Sequence, residues 1–315
     1  MNKALVIKST GKFYVIKDIE SGTHYNAIIR GKFKLQGFKL TNPVGVGDCI
    51  GYTLGEEDVA NIEEIEDRRN YVVRQSPRRK HYLHLIAANI DQAVVIVTIV
   101  NPKLKQGFID RFLLMTEPYN IPVHIVFNKS DLNNEGHNRV YEYLKDIYNK
   151  VNYEVLSTSV VKNEGLEELT NLLKGKTTLV SGQSGVGKSS IINTICADAN
   201  IKTKTLSDYS GKGQHTTTFA EMYSLEQGGS IIDTPGIKTL SFNHLEVMDI
   251  AHNFREIFDT SSECKYGDCT HRNEPKCAVK VAVEEGEISE LRYGNYLQLI
   301  DEVENQNHWE RIKDY

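Results

Sequence analysis

Thr177-Thr178-Leu179-Val180-Ser181-Gly182-Gln183-Ser184-Gly185-Val186-Gly187-Lys188-Ser189-Ser190 decides how this chain reads. An apolar run enters a loop that fits G-x-x-x-x-G-K-[ST] in full over 182–189. Glycines let such a loop bend so that its backbone N–H groups face a phosphate anion. Lys188 is placed to neutralise the β- and γ-phosphates and Ser189 to offer a hydroxyl to Mg²⁺, with Ser181, Gln183, Ser184, Val186 and Ser190 lining the same cradle. A helix predicted over 188–196 adds its positive N-terminal end. The bland alternative, an ordinary strand–helix turn, seldom carries the whole motif between an apolar strand and a helix.

Working outward, strands and helices alternate. Residues 93–100 form a continuous apolar, β-branched run broken only by Thr98, as expected of a strand buried on both faces. Helices are predicted near 109–119, 140–150 and 165–173, and strands over 123–127, 154–157, 177–181, 218–225 and 230–233. This alternation predicts a mostly parallel sheet with helices on both faces.

Asn128-Lys129-Ser130-Asp131 directly follows the 123–127 strand. A carboxylate at Asp131 accepts from guanine N1–H and N2–H₂ together. Adenine offers neither donor there, so such a site discriminates strongly. Asn128 would support the base loop and Lys129 would lay its stem along the ring. Ser157-Thr158-Ser159, after the next strand, would pack beside the base. Asp233-Thr234-Pro235-Gly236 ends the 230–233 strand, where Asp233 can hold Mg²⁺ through water and the Gly236 N–H can reach a γ-phosphate. A threonine of Thr216-Thr217-Thr218, expected to be Thr217, would complete the Mg²⁺ shell; spacing alone does not separate the three. The base-reading motifs precede the phosphate-binding ones, the reverse of an ordinary GTPase, so the domain is expected to be circularly permuted.

Residues 1–72 read as five short strands punctuated by glycines, which suits a small OB-type barrel; an SH3-like barrel or an accessory sheet is the alternative. Arg30, Lys32, Lys34 and Lys39 interleave with Phe33 and Phe38, a pattern that suits RNA. Arg74, Arg78, Arg79 and Lys80 follow in a polar stretch, 73–85, read as a linker. The nucleotide-binding domain is expected over 86–240 and a helical, acidic C-terminal domain over 241–315. In that last domain Cys264-x₄-Cys269-x-His271-x₅-Cys277 supplies three thiolates and an imidazole, a closed tetrahedral shell for structural Zn²⁺. Free thiols are the alternative there, and disulfides the poorer one.

Composition bounds the classes. Charged residues are 25% and hydrophobic residues 40% of 315, an ordinary globular balance that argues against intrinsic disorder and collagen. No apolar run approaches a membrane span, the first residues have too short an apolar core for a signal peptide, and five cysteines do not suggest a disulfide scaffold, so cytoplasm is the expected compartment. The net charge of −5 is uneven: residues 1–80 carry 14 Lys+Arg against 10 Asp+Glu, and 241–315 carry 8 against 16. A uniformly basic coat is excluded, whereas a basic N-terminal face is not.

Together these residues resemble the ribosome small-subunit-dependent GTPase A family of bacteria. The most specific parts are the permuted order, Gly213-Gln214-His215-Thr216-Thr217-Thr218 and the cysteine–histidine cluster. The resemblance covers nearly the whole chain. It implies an OB domain in front and a zinc domain behind, and a GTPase stimulated by the 30S subunit in late maturation. It further implies contact with 16S rRNA, turnover of GTP to GDP, no membrane, and action as a monomer.

Many GTPases place a glutamine just after the Asp-x-x-Gly turn to orient water; here that position is Ile237. His215, beside the threonine run, is the candidate catalytic residue, and the resemblance points to it too. Alternatively, His215 packs its loop or touches rRNA. Two other functions stay open at this point: a permuted GTPase of large-subunit assembly, and an RNA-binding module with a purely structural nucleotide site.

Overall fold

The computed structural model describes the chain except residues 12, 30–39, 56–57, 76–81, 106, 197–198, 200, 202–219, 235–244 and 312–315, and the side chains of 75 and 306–311. The first five strands are β1 (Asn2–Ser9), β2 (Tyr14–Asp18), β3 (His24–Ile29), β4 (Cys49–Leu54) and β5 (Ala60–Ile65). They pair in the order β1-β2-β3-β5-β4, and β4 returns to β1, which closes a barrel of the OB type. Alternation fills it: Ala4 and Val6 from β1, Tyr14 and Ile16 from β2, and Ile50 and Tyr52 from β4 all point inward and are buried. Among the described residues, closure leaves no free strand edge within the barrel.

The expected linker at 73–85 is instead built into a hairpin. β6 (Tyr71–Gln75) and β7 (Leu83–Ala88) pair antiparallel, with Val73, Leu83 and Leu85 packed beneath them. Single bridges Leu40↔Leu83 and Val46↔Ala87 fasten β7 to the barrel's long connection.

The following domain is a sheet ordered β10-β9-β8-β11-β13-β12. Its strands are β8 (Gln92–Val97), β9 (Val123–Asn128), β10 (Glu154–Thr158), β11 (Thr177–Gly182), β12 (Ala220–Ser224) and β13 (Ser230–Asp233); all are parallel except β12. Its helices are α1 (Phe108–Thr116), α2 (Glu135–Lys150), α3 (Leu166–Leu173) and α4 (Lys188–Ile195). Every residue of β8 is buried because the sheet is covered on both faces. Val94 and Ile96 pack with residues of α3 and α4, whereas Ala93, Val95 and Val97 pack with α1 and α2. The parallel strands therefore deliver their carboxyl ends to one rim, where ligands of such sheets bind.

Strand β12 also pairs with β1 in the register Lys8↔Glu221 and Ser9↔Ala220, so barrel and sheet are continuous. Lys8 Nζ donates to Glu221 Oε1 at 3.0 Å across that seam.

The C-terminal part is helical, as expected: α5 (Val247–His252), α6 (Arg255–Ser261), α7 (Ala278–Glu284) and α8 (Glu290–Arg311). Its apolar residues Phe254, Ile257, Tyr296 and Ile300 join the same core as α1. Among the described residues, no helix is long and apolar enough to cross a membrane.

Candidate nucleotide site and metal cluster

At the rim, β11 ends in Ser181-Gly182 and α4 begins after Gly187, whose φ is +92°. A Cβ on Gly187 would stand 2.3 Å from Asn128 Nδ2, so only glycine lets the base-reading loop come this close. Asn128, at the end of β9, uses that space to donate from Nδ2 to the Val186 carbonyl at 2.8 Å. Its Oδ1 accepts from Thr158 Oγ1 at 3.0 Å, which fixes the amide's orientation.

Lys129 stands in the left-handed region, φ 63°. That turn sends its ammonium back over the phosphate loop, where Nζ donates to the Gly185 carbonyl at 2.6 Å and to the Asn101 carbonyl at 2.8 Å. Burial pushes the Lys129 ammonium below its ordinary range, with Asp131 opposing. Ser159 donates to Asp131 Oδ1 at 2.6 Å and accepts from the Lys162 N–H at 3.1 Å, so the serine holds the carboxylate in place. The Ser157 carbonyl is closely packed by Gly165, where a Cβ would lie 2.0 Å from it.

On the phosphate side, Lys188 is buried at the first turn of α4 and is ion-paired with Asp233 at the end of β13. Thr234 locks that strand end by donating from Oγ1 to the Val180 carbonyl at 3.1 Å. Burial raises the Asp233 carboxyl, and the Lys188 ammonium opposes the rise. Two buried oxygens, Asp233 Oδ2 and Ser181 Oγ, have no partner among the described residues. Buried oxygens without partners are costly. Together with the half-buried Ser189, this set of oxygens suits a hydrated Mg²⁺ and phosphate by its chemistry. Gln183, Ser184 and Ser190 are half-buried, Val186 is buried and Gly185 is exposed at the apex. His215, Thr217, Gly236 and the basic residues Arg30, Lys32, Lys34, Lys39, Arg78, Arg79 and Lys80 lie outside the described residues.

The second cluster joins Cys264, Cys269, His271 and Cys277, whose ligand atoms all lie within 4.8 Å of one another. Cys264 Sγ is 3.6 Å from His271 Nδ1 and 3.9 Å from Cys277 Sγ, and Cys277 Sγ is 3.4 Å from His271 Nδ1. Tetrahedral edges around Zn²⁺ with these ligands are about 3.5–3.8 Å, so the donors fit that ion. Burial raises the Cys269 thiol to about 12 when no cation is there to hold the thiolate. The loop between the ligands is pinned by Glu274, which accepts from Thr270 N at 2.8 Å, Thr270 Oγ1 at 2.6 Å and Arg272 N at 2.8 Å. Tyr293 of α8 donates to the His271 carbonyl at 2.6 Å.

One contributor escaped the sequence reading. Asn101 lies in the connection after β8, and only its carbonyl takes part. A signal existed: Asn101-Pro102 is a polar turn at the end of a fully buried strand, the place where ligands of parallel sheets bind.

A phosphate loop locked to a base-reading loop that precedes it in the chain, on the rim of a parallel sheet, defines a circularly permuted GTP-binding domain. Comparison with known proteins agrees. The model of the RsgA GTPase family matches residues 65–243. The chain therefore belongs to the RsgA GTPase family and is a GTP hydrolase. It is 46% identical over 302 residues to the small ribosomal subunit biogenesis GTPase RsgA of Phocaeicola vulgatus, covering 96% of this chain and 97% of that one. It is 47% identical to the protein of the same name from Cytophaga hutchinsonii, covering 95% and 98%. Among solved structures, YjeQ from Thermotoga maritima aligns with a TM-score of 0.75 at 34% identity, over 96% of this chain and 98% of that one. YloQ, described as a circularly permuted GTPase, aligns with a TM-score of 0.72 at 30% identity, over 97% and 96%.

Proposed function

We propose that this GTPase acts in late maturation of the small ribosomal subunit, binds it through 16S rRNA, and is stimulated by it. The relatives named above carry small-subunit biogenesis in their names and align over nearly the full length. The observation that carries the nucleotide reading is the pair of bonds from Asn128 and Lys129 to the Val186 and Gly185 carbonyls. They make one cradle of two motifs 58 and 56 residues apart.

In this reading, residues 181–190 hold the phosphates, Asp131 reads guanine, and Ser157, Thr158 and Ser159 support the base. The Gly236 N–H meets the γ-phosphate. Ser189, Thr217 and Asp233 would hold magnesium, which when bound supplies positive charge to the phosphates. Lys188 then trades its Asp233 partner for phosphate oxygens. His215 orients the attacking water, because Ile237 has no polar group to do so. The cluster of Cys264, Cys269, His271 and Cys277 holds a structural zinc ion, and the basic barrel residues contact rRNA as a single chain works in the cytoplasm.

Co-sedimentation tests the partner. The chain should pellet with purified 30S subunits when loaded with a non-hydrolysable GTP analogue and leave them when loaded with GDP. Equal pelleting with 50S subunits would contradict the assignment.

A further inference from the structure

The connection between β8 and α1 touches the nucleotide cradle at one end and the helical domain at the other. At the cradle end, the Asn101 carbonyl accepts from Lys129 Nζ at 2.8 Å, and Pro102 Cδ would lie 3.7 Å from a Cβ on Gly185. The turn is closed by Thr98 Oγ1, which donates to the Pro102 carbonyl at 2.6 Å. At the far end, Gly107 begins α1 beneath α8, where a Cβ would stand 3.6 Å from Asn295 Oδ1.

A few residues on, the buried carboxylate of Asp110 accepts from Arg292 Nη1 at 2.6 Å, from Tyr148 OH at 3.1 Å, and from Asn295 Nδ2. Arg292 is itself buried, held on its other side by Glu256 at 2.5 and 2.8 Å and stacked over Phe254. Sliding α8 away from α1 would leave Asp110 charged, buried and short of donors, which is strongly unfavourable. The start of α1 therefore follows α8, and the Asn101 turn leads toward that start through short-range bonds, from Leu104 N to the Ile99 carbonyl at 3.4 Å and from Phe108 N to the Lys105 carbonyl at 3.2 Å.

We propose that Asn295 and Arg292 are positioning residues for the guanine-nucleotide site, acting through Asp110 and the Asn101 turn on the Lys129 ammonium. Through this path the helical domain sets how long guanine nucleotide stays bound. It works from the base side, so GDP and GTP are affected by the same factor. A grip on the helical domain that shifts α8 would thus speed nucleotide exchange without any contact to the phosphates. The inference rests on residues 128–131 being the base site.

Release of methylanthraniloyl-GDP from the full-length, zinc-loaded chain tests it. Asn295→Ala, and separately Thr98→Val inside the turn, should each speed release about three- to ten-fold, the scale of a weakened charge-assisted hydrogen bond. The same substitutions placed in a Lys129→Ala background should change release by less than about 1.5-fold, because their route is already cut. Lys3→Ala, which breaks the exposed Lys3–Glu66 pair in the barrel, should leave the rate unchanged. A wild-type rate in Asn295→Ala, or the same acceleration with and without Lys129, would overturn the inference while leaving the base site standing. A wild-type rate in Lys129→Ala alone would overturn the base site and the inference together.

Discussion

Lys188 and Asp233 are ion-paired inside the phosphate site, each buried, one from the first turn of α4 and the other from the end of β13. In the proposed site Lys188 meets phosphate and Asp233 meets magnesium, so nucleotide binding is expected to part them. Asp233→Ala should therefore abolish the gain in GTP affinity that magnesium brings, while Lys188 still supports weak metal-independent binding. Titration calorimetry with and without EDTA checks this. A variant that keeps the full magnesium effect contradicts the assignment.

Guanine choice should rest on Asp131. Ser159 already occupies one carboxylate oxygen at 2.6 Å and fixes its plane. Asp131→Asn exchanges an acceptor for an amide donor that suits the 2-carbonyl of xanthine. GTP affinity should fall by about 10- to 1000-fold, as for loss of a matched charged contact, and XTP should gain relative to GTP. Unchanged GTP affinity by calorimetry would remove Asp131 from the base site.

The zinc proposal predicts one ion per chain by elemental analysis. Cys269→Ser removes a buried ligand and should loosen the segment after about residue 245, seen as faster hydrogen exchange there. Nucleotide binding should survive, because the phosphate cradle draws none of its groups from the cluster. A metal-free chain with unaltered thermal unfolding would refute a structural zinc.

Acid sensitivity should arise in part from the β6–β7 hairpin. Burial lowers the His84 imidazole from 6.5 to about 4, with Arg74 adding to the effect. Thr41 Oγ1 lies 2.9 Å from its Nδ1. The unfolded chain takes up this proton first, so the contribution is complete above about pH 6.5 and is lost as pH falls toward about 4. Partial contact with water limits it to about 2 kcal/mol. His84→Asn should flatten the difference in urea midpoint between pH 7.5 and pH 5. An unchanged slope would place the sensitivity elsewhere.

How much of this was legible depended on whether the signal was local. The phosphate loop, the base loop after β9 and the cysteine–histidine cluster carry their chemistry in a few adjacent residues. The barrel strands could be read because glycines such as Gly11 and Gly22 punctuate short runs, although burial alternates only along some of them, as at Tyr14 and Ile16. Helix α2 begins at Glu135, earlier than expected, because Asn134 and His137 form a capping box that the apolar pattern does not show. The hairpin was hidden by the stretch between its strands, which in sequence carries Pro77, Arg78, Arg79 and Lys80. Longer-range features left no trace in sequence: the β1–β12 seam joins residues 213 positions apart at Lys8 and Glu221, and the Arg292–Asp110 pair joins residues 182 apart. A charged Arg reads as surface until its partners are known, yet Arg292 is among the most deeply buried side chains.

In the proposed function the small ribosomal subunit switches this GTPase on, and His215 places water where Ile237 cannot. Multiple-turnover phosphate release at saturating GTP, with and without purified 30S subunits, tests it most directly, run in parallel on the natural chain and His215→Ala. Release should be slow alone and rise greatly with 30S subunits for the natural chain, and most of that rise should be lost in His215→Ala although GTP and 30S binding persist. An equal rate with and without 30S subunits would contradict the claim; a full stimulated rate in His215→Ala would take the water-positioning role away from that histidine.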